Sequence, residues 1–382
     1  MSEAIDTHNT VTSVQLTDII RTSAKAVISD PKLGSFIPPT LVRGGAGVGK
    51  SSIVKEVADE LGIGFVDVRL AQLERVDISG LPSVEDGQTK WNVPSMFPTD
   101  PKSKGILFLD EITAAPADCQ VAAYSLVLDR KIPNSDYKLP DGWYICAAGN
   151  RVGDRAVARP LSSALANRFA HYELDVSEEE WNDWAVAHSI HPSVTGFLKY
   201  RPALLFKMEG QNLECGWPSP RSWERVSSVL PLFEGNEDVL EKVVFGLVGE
   251  NVGVEFIAFH KMQKKFSDVL ELLTNPKAEV TVPKKSDERY AFCSAVVYHV
   301  WSGKTAADDK ERAEGMFRII DELTPDFATM VVRGASQGNA RVNRITALKT
   351  MMTTKGYAAF QKKFGKSAAK SFSLDLKGLA AA

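Results

Sequence analysis

Apolar residues in the first 150 positions fall into short continuous runs separated by turn-forming residues. Thr40 to Arg43, Phe65 to Leu70, Ile106 to Ile112 and Trp143 to Ala148 read as β-strands. Ile106 to Ile112 is apolar without alternation until it reaches its acids, which predicts a strand buried on both faces of a parallel sheet. Between the first two runs the period changes. Ile53, Val54, Val57, Ala58 and Leu61 line one face at helical spacing, and Gly62 marks a stop. Ile78 to Pro98 carries Gly80, Pro82, an Asp86-Gly87 turn signal, Trp91 and Pro94, and reads as a hairpin interrupting a helix.

After about residue 176 the pattern turns helical. Trp181, Trp184 and Ala187 are expected on one helix face, and Thr274 to Pro283 breaks an otherwise helical stretch. Near the end, Tyr357, Phe360 and Phe364 interleave with Lys355, Lys362, Lys363 and Lys366. Such a segment is either a packed helix with a solvated lysine face or an amphipathic docking or nucleic-acid surface.

The composition, 44% hydrophobic and 24% charged over 382 residues, is that of a folded protein with room for two or three domains. No run approaches the length of a membrane span, and Met1 to Val14 is polar without an apolar signal core, so the cytoplasm is the expected location. Cys119, Cys146, Cys215 and Cys293 share no ligand spacing and read as small core residues. His188 and His191 form the one close histidine pair and read as helix-surface residues. The net charge of -3 hides an asymmetry: Phe327 to Ala382 holds ten Lys or Arg against the single acid Asp375. That tail is a candidate surface for an acidic partner, or it rests on the acidic body of the chain.

The chemistry concentrates behind the apolar runs. Directly after Thr40 to Arg43 comes Gly44, Gly45, Ala46, Gly47, Val48, Gly49, Lys50 and Ser51, a full G-x-x-x-x-G-K-[ST] phosphate loop, followed by Ser52. Glycines let successive N–H groups turn inward, and the helix that follows adds the positive end of its dipole. Lys50 is placed to reach the β and γ phosphates of ATP, and Ser51 to ligate Mg2+. The run at Ile106 ends in Asp110 and Glu111, placed to hold Mg2+ and to polarise the attacking water. The run at Trp143 ends at Gly149 and Asn150, either a turn pair or a side chain that touches the γ phosphate.

These three motifs, followed by SSALANRF (Ser162 to Phe169) and SPRSW (Ser219 to Trp223), resemble the AAA+ superfamily, within it the MoxR-like and dynein-related group with an insert in its second helix. The resemblance runs to about Phe256. It implies an α/β AAA+ P-loop NTPase domain over 1–175, a parallel sheet flanked by helices with the insert at about 78–98. An α-helical lid over 176–258 and a mostly helical C-terminal extension with its basic tail over 259–382 complete the expected layout. It implies further that Asn150 is the sensor on the third strand, that Arg168 is an arginine finger, and that Arg221 is a second sensor in the lid. Ser219 as N-cap and Pro220 as first helical residue put Arg221 in the first turn of its helix, although a surface salt bridge would suit it too. Many relatives carry Pro after the sensor Asn, whereas this chain has Arg151. Arg151, Arg155 and Arg159 are therefore further candidates for an interface arginine.

The function implied is an ATP-hydrolysing ring motor, a homo-oligomer expected to be a hexamer, that remodels or assembles a protein client, with a von Willebrand A domain protein as a possible partner. Two alternatives stand beside it. One is a nucleic-acid translocase or packaging accessory using the basic tail; the other is a non-catalytic nucleotide switch, against which Lys50, Asp110, Glu111 and Arg168 all argue. No aromatic-apolar-glycine pore loop is evident, and no Asn-Lys-x-Asp guanine-reading element occurs.

Overall fold

The computed structural model describes residues 9–151, 159–208, 215–233, 235–266, 268–339 and 341–364. They divide into two compact units, 1–177 and 178–382.

In the first unit the elements run β1 (Thr10–Val11), α1 (Ser13–Ser29), β2 (Thr40–Arg43), α2 (Lys50–Leu61), β3 (Gly64–Arg69), α3 (Arg75–Ser79), β4 (Leu81–Glu85), β5 (Gln88–Asn92), β6 (Lys104–Asp110), α4 (Ala117–Asp129), β7 (Gly142–Gly149), α5 (Ser163–Ala166) and β8 (Ala170–Leu174). Six strands form one sheet in the order β1-β8-β2-β7-β6-β3, with every pairing parallel. A parallel sheet needs both faces covered, and its strands show how. Along β6 and β7, Leu107, Leu109, Ile145 and Ala147 enter one core with Cys119, Ala123 and Leu126 of α4. The alternate residues Ile106, Phe108, Tyr144, Cys146 and Ala148 enter the other, against Leu16 and Ile20 of α1 and Val54, Val57 and Ala58 of α2. The chain is thus α/β, with a parallel sheet flanked by helices and a mostly helical C-terminal region.

The strands β4 and β5 form a separate antiparallel hairpin closed at Asp86 and Gly87, both with positive φ. It follows helix α3 but does not interrupt a helix, as the apolar pattern had led us to expect, because no helix resumes between Asn92 and β6. Pro94, Pro98 and Pro101 account for this: each lacks an amide hydrogen and disfavours helical backbone in the residue before it. The segment instead packs Phe97 into the core, and the Tyr137 hydroxyl donates to the Pro98 carbonyl at 2.9 Å.

The second unit is built from α6 (Glu178–Ala187), α7 (Pro192–Tyr200), α8 (Pro220–Val229), α9 (Glu237–Val248), α10 (Glu250–Lys265), α11 (Val269–Thr274), α12 (Ser286–Val300), α13 (Ala306–Asp321), α14 (Pro325–Ser336) and α15 (Arg344–Met352), with helical backbone again at 355–364. The buried face of α6 is Trp181, Asn182 and Ala185 rather than Trp181, Trp184 and Ala187. Steps of three residues drift around a helix of 3.6 residues per turn, which leaves Ala187 exposed and Trp184 stacked on His188. Phe197, Trp223 and Phe256 form an aromatic centre with ring centroids 5.4 to 5.5 Å apart. Helix α10 runs unbroken across position 258, and α12 packs on α7, so the segments on either side of that position share one compact unit.

Tyr357, Phe360 and Phe364 are buried in the core of this unit, whereas Lys355, Lys362 and Lys363 are exposed. The segment is a packed helix, and its rings are not available for stacking on bases. Lys366 and the rest of the basic tail lie outside the described residues, as do Arg155 and the start of the chain through residue 8. Cys119, Cys146 and Cys293 are buried, and burial pushes all three thiols up, Cys293 to about 12. Cys215 departs from the expected core role: it sits exposed in a loop before α8. His191 caps α7 by accepting from the Ser193 amide at 3.1 Å, and no metal-holding group of three or more ligand side chains occurs among the described residues.

Candidate nucleotide site

Strand order places β2 between β7 and β8, and the chain leaves β2 for α2 at the carboxyl edge of the sheet, where ligands of doubly wound folds bind. The register brings the other motifs to the same edge. Arg43 at the end of β2 aligns with Gly149 at the end of β7, and Leu109, one residue before Asp110, aligns with Ala147.

Gly44 to Gly49 turns the chain back between strand and helix. Gly49 is the N-cap of α2 with φ 98, a left-handed conformation that glycine adopts without strain, and no side chain caps the helix. Amides in the first turn of a helix have no acceptor within it, so a start without a side-chain cap suits an anion site. Lys50 Nζ donates to the carbonyls of Gly44 and Gly45 at 2.8 and 2.9 Å and to Asn150 Oδ1 at 3.3 Å. The ammonium is held inside the loop beside the strand-end Asn.

Ser51 Oγ donates to Asp110 Oδ2 at 2.8 Å, while the other carboxylate oxygen accepts from the Glu111 amide at 2.8 Å. A hydroxyl and a carboxylate side by side are the hard oxygen donors that suit Mg2+, which commonly takes its remaining ligands from phosphate and water. Strand β6 ends at Asp110, so Glu111 and Ile112 lie beyond it, in a turn where Glu111 has φ 57. The turn is fixed from behind: the Ile112 amide donates to Ala148 O at 2.9 Å, and buried Gln120 donates to the carbonyls of Ile112 and Ala115.

Thr113, buried on this turn, was not singled out by any motif. Its Oγ1 accepts from the Asn150 amide at 3.0 Å, and its methyl and hydroxyl press so closely on Gly149 that a Cβ there would stand 2.5 Å from Thr113 Cγ2. The apolar run ending in Asp-Glu gives no hint of it, since the contact is to a strand 36 residues away.

The arginines separate. Arg168 follows α5, donates to Ala164 O at 3.1 Å and holds its guanidinium 5.2 Å from the Tyr124 ring centroid, with no carboxylate partner among the described residues. Arg151 instead pairs with Glu173 of β8. Arg43, whose guanidinium burial pushes down in pKa and Glu173 pulls back up, donates to His171 Nδ1 at 2.9 Å. Arg159 donates its amide to Thr113 O, and its side chain is exposed. Arg221 sits in the first turn of α8, exposed, behind an N-cap in which Ser219 Oγ accepts from the Ser222 amide at 3.2 Å.

Glycine loop, helix start and strand-end carboxylate on a parallel sheet define a P-loop nucleotide-binding domain. Residues 39–169 match the family of the AAA domain, dynein-related subfamily. The matched stretch, about a third of the chain, is thus similar to the AAA domains of the dynein-related group. It is 26% identical over 171 residues to midasin of Giardia intestinalis, a stretch that is 43% of this chain and 4% of that far longer relative. Among solved structures, a mutant of RuvB from Thermotoga maritima aligns over 68% of this chain and 75% of its own at 17% identity and a TM-score of 0.34. NtrX of Brucella abortus in complex with ADP aligns over 95% and 70% at 12% identity and a TM-score of 0.37.

Proposed function

We propose that this chain is an ATP-hydrolysing ring ATPase of MoxR type that remodels or assembles a protein client. The observation that carries this reading is the convergence of Lys50, Ser51, Asp110 and Asn150 through direct hydrogen bonds beside an uncapped helix start.

In this mechanism the phosphates of ATP lie in the loop from Gly44 to Ser52. Lys50 turns from the Gly44 and Gly45 carbonyls to the phosphate oxygens, and Asn150 steadies it. Ser51 and Asp110 would hold Mg2+, which when bound withdraws charge from the phosphate oxygens. Glu111 draws a proton from the attacking water, its carboxylate turned off the strand by its left-handed backbone. Arg168 completes the site of a neighbouring subunit in a head-to-tail ring, most simply a hexamer, because a cation without a carboxylate partner is free to engage phosphate. Arg221 acts from the lid, segment 176–258.

The client is a protein, presented by a von Willebrand A domain partner, and the work is done in the cytoplasm, where buried Cys119, Cys146 and Cys293 stay reduced. No helix among the described residues is long and apolar enough to cross a membrane. The test is phosphate release by the full chain with ATP and Mg2+, measured beside its mass in solution with and without nucleotide. Turnover that rises with ring formation supports the reading, and a monomer that hydrolyses ATP at full rate overturns it.

A further inference from the structure

The second unit contains a cavity of about 340 Å3, within the size range of small-molecule sites, walled by α6, α7, α12 and α14. Its charged lining is mixed. Glu178, Glu179, Asp183 and Asp326 face Lys199 and Arg333 across it. Most of these groups have partners: Arg333 pairs with Asp183, and Glu178 accepts from Asn182 one turn along α6. Lys199 differs. It makes no hydrogen bond or ion pair with any described residue, although it is half-buried on α7.

A sequestered ammonium without an acceptor is costly, and chains normally meet that cost with a carboxylate in contact. Here Glu178 and Asp183 act on Lys199 only across space. Burial pushes its pKa down, with Arg333 adding to the fall and the two acids opposing it. Lys199 and Arg333 also line a second, smaller cavity beside the first, so the two cations stand close together. The rest of the lining is Asn182, Met330 and two rings, Tyr290 and Phe327, which meet edge to face with centroids 4.8 Å apart.

An acceptor group for the two cations, an aliphatic stretch for the rings and a cationic group for the acids together describe one ligand. Carboxylates outnumber cations four to two in the lining, which favours a ligand with a surplus of positive charge. We propose that this cavity binds a basic amino acid, its α-carboxylate on Lys199 and Arg333 and its side-chain cation among Glu178, Glu179 and Asp326. The site lies wholly within 178–382 and does not depend on the nucleotide reading.

The experiment is calorimetric titration of the full chain with L-arginine and with agmatine, the same molecule without its carboxylate. L-Arginine should bind at least tenfold more tightly than agmatine. Lys199→Met should erase that preference while leaving agmatine binding in place, and exposed Asp326→Asn should weaken both ligands several-fold. The Asp326→Asn arm keeps the test decisive if Lys199→Met fails to fold. Equal binding of the two ligands to the native chain, no heat from either at 10 mM, or a preference that survives Lys199→Met would each overturn the proposal.

Discussion

The Thr113 hydroxyl accepts from the Asn150 amide at 3.0 Å, and this bond ties the turn that carries Glu111 to the end of β7. Lys50 contacts Asn150 Oδ1 on the other side, so the loop lysine and the acidic turn share one anchor. Replacing Thr113 with Val keeps the shape and removes the acceptor, leaving a part-buried amide unpaired at about 1 to 3 kcal/mol. Thr113→Val should lower stability by that amount in urea unfolding. It should also slow ATP turnover more than it weakens ATP binding, since the loop itself is untouched. Unchanged turnover would mean that the acidic turn holds its position without this anchor.

Binding and chemistry should separate between Lys50 and Glu111. Lys50→Ala removes charge-assisted bonds to phosphate, each of about 1.5 to 3 kcal/mol, so nucleotide affinity should fall by about 10-fold or more. Glu111→Gln keeps the volume and loses the base, and turnover should fall by about 10² to 10⁴ with affinity unchanged. Equilibrium binding of a fluorescent ATP analogue and single-turnover phosphate release measure the two quantities. A Glu111→Gln protein that turns over normally would remove Glu111 from the mechanism.

Away from the site, Arg130 is buried with no carboxylate in contact among the described residues. Its guanidinium donates to the carbonyls of Pro140 and Trp143 at 2.9 and 2.7 Å and more weakly to Gly34 at 3.4 Å. Burial pushes its pKa down, yet an arginine remains charged. Arg130→Met fills the space and strands the carbonyls, which should cost about 2 to 5 kcal/mol, measured as a lower denaturation midpoint at constant slope. ATP affinity per folded molecule should not move.

How much of this was legible in the sequence depended on the range of the contact involved. The glycine loop, α2 and the strand ending at Asp110 declare themselves because their determinants are local: a left-handed Gly49, a helical apolar face, an unbroken apolar run. Strands β1 and β8 escaped because each is short and offers a single buried apolar residue, Val11 and Leu174, too little to make a pattern. The anchor at Thr113 and the pairing of Arg151 with Glu173 are tertiary, and no spacing announces them. Helix α6 misled because two tryptophans suggested a face that a three-residue step cannot maintain. For the lysine-rich segment at 355–364 the plainer reading prevailed, since three buried rings outweigh the solvated lysines between them.

Arg168 is the residue on which the shared-site mechanism turns. Its guanidinium rests 5.2 Å from the Tyr124 ring centroid and donates to Ala164 O, contacts of about 1 kcal/mol that a phosphate could readily outcompete. An arginine finger contributes on the order of 10³ to 10⁵ in rate by stabilising charge in the transition state, far beyond what a surface contact could supply. Arg168→Ala should therefore bind ATP normally, assemble, and lose turnover by about that factor. In a head-to-tail ring each finger enters a neighbour's site, so the defect is complementable. Subunits carrying Lys50→Ala supply an intact finger, and those carrying Arg168→Ala supply an intact loop; mixed rings should recover a fraction of native turnover that neither variant shows by itself. The measurement is phosphate release across mixing ratios, with co-assembly verified by mass. Mixed rings that form and remain inactive would show that Arg168 acts within its own subunit or not at all, and would move the search to Arg151, Arg155 and Arg159.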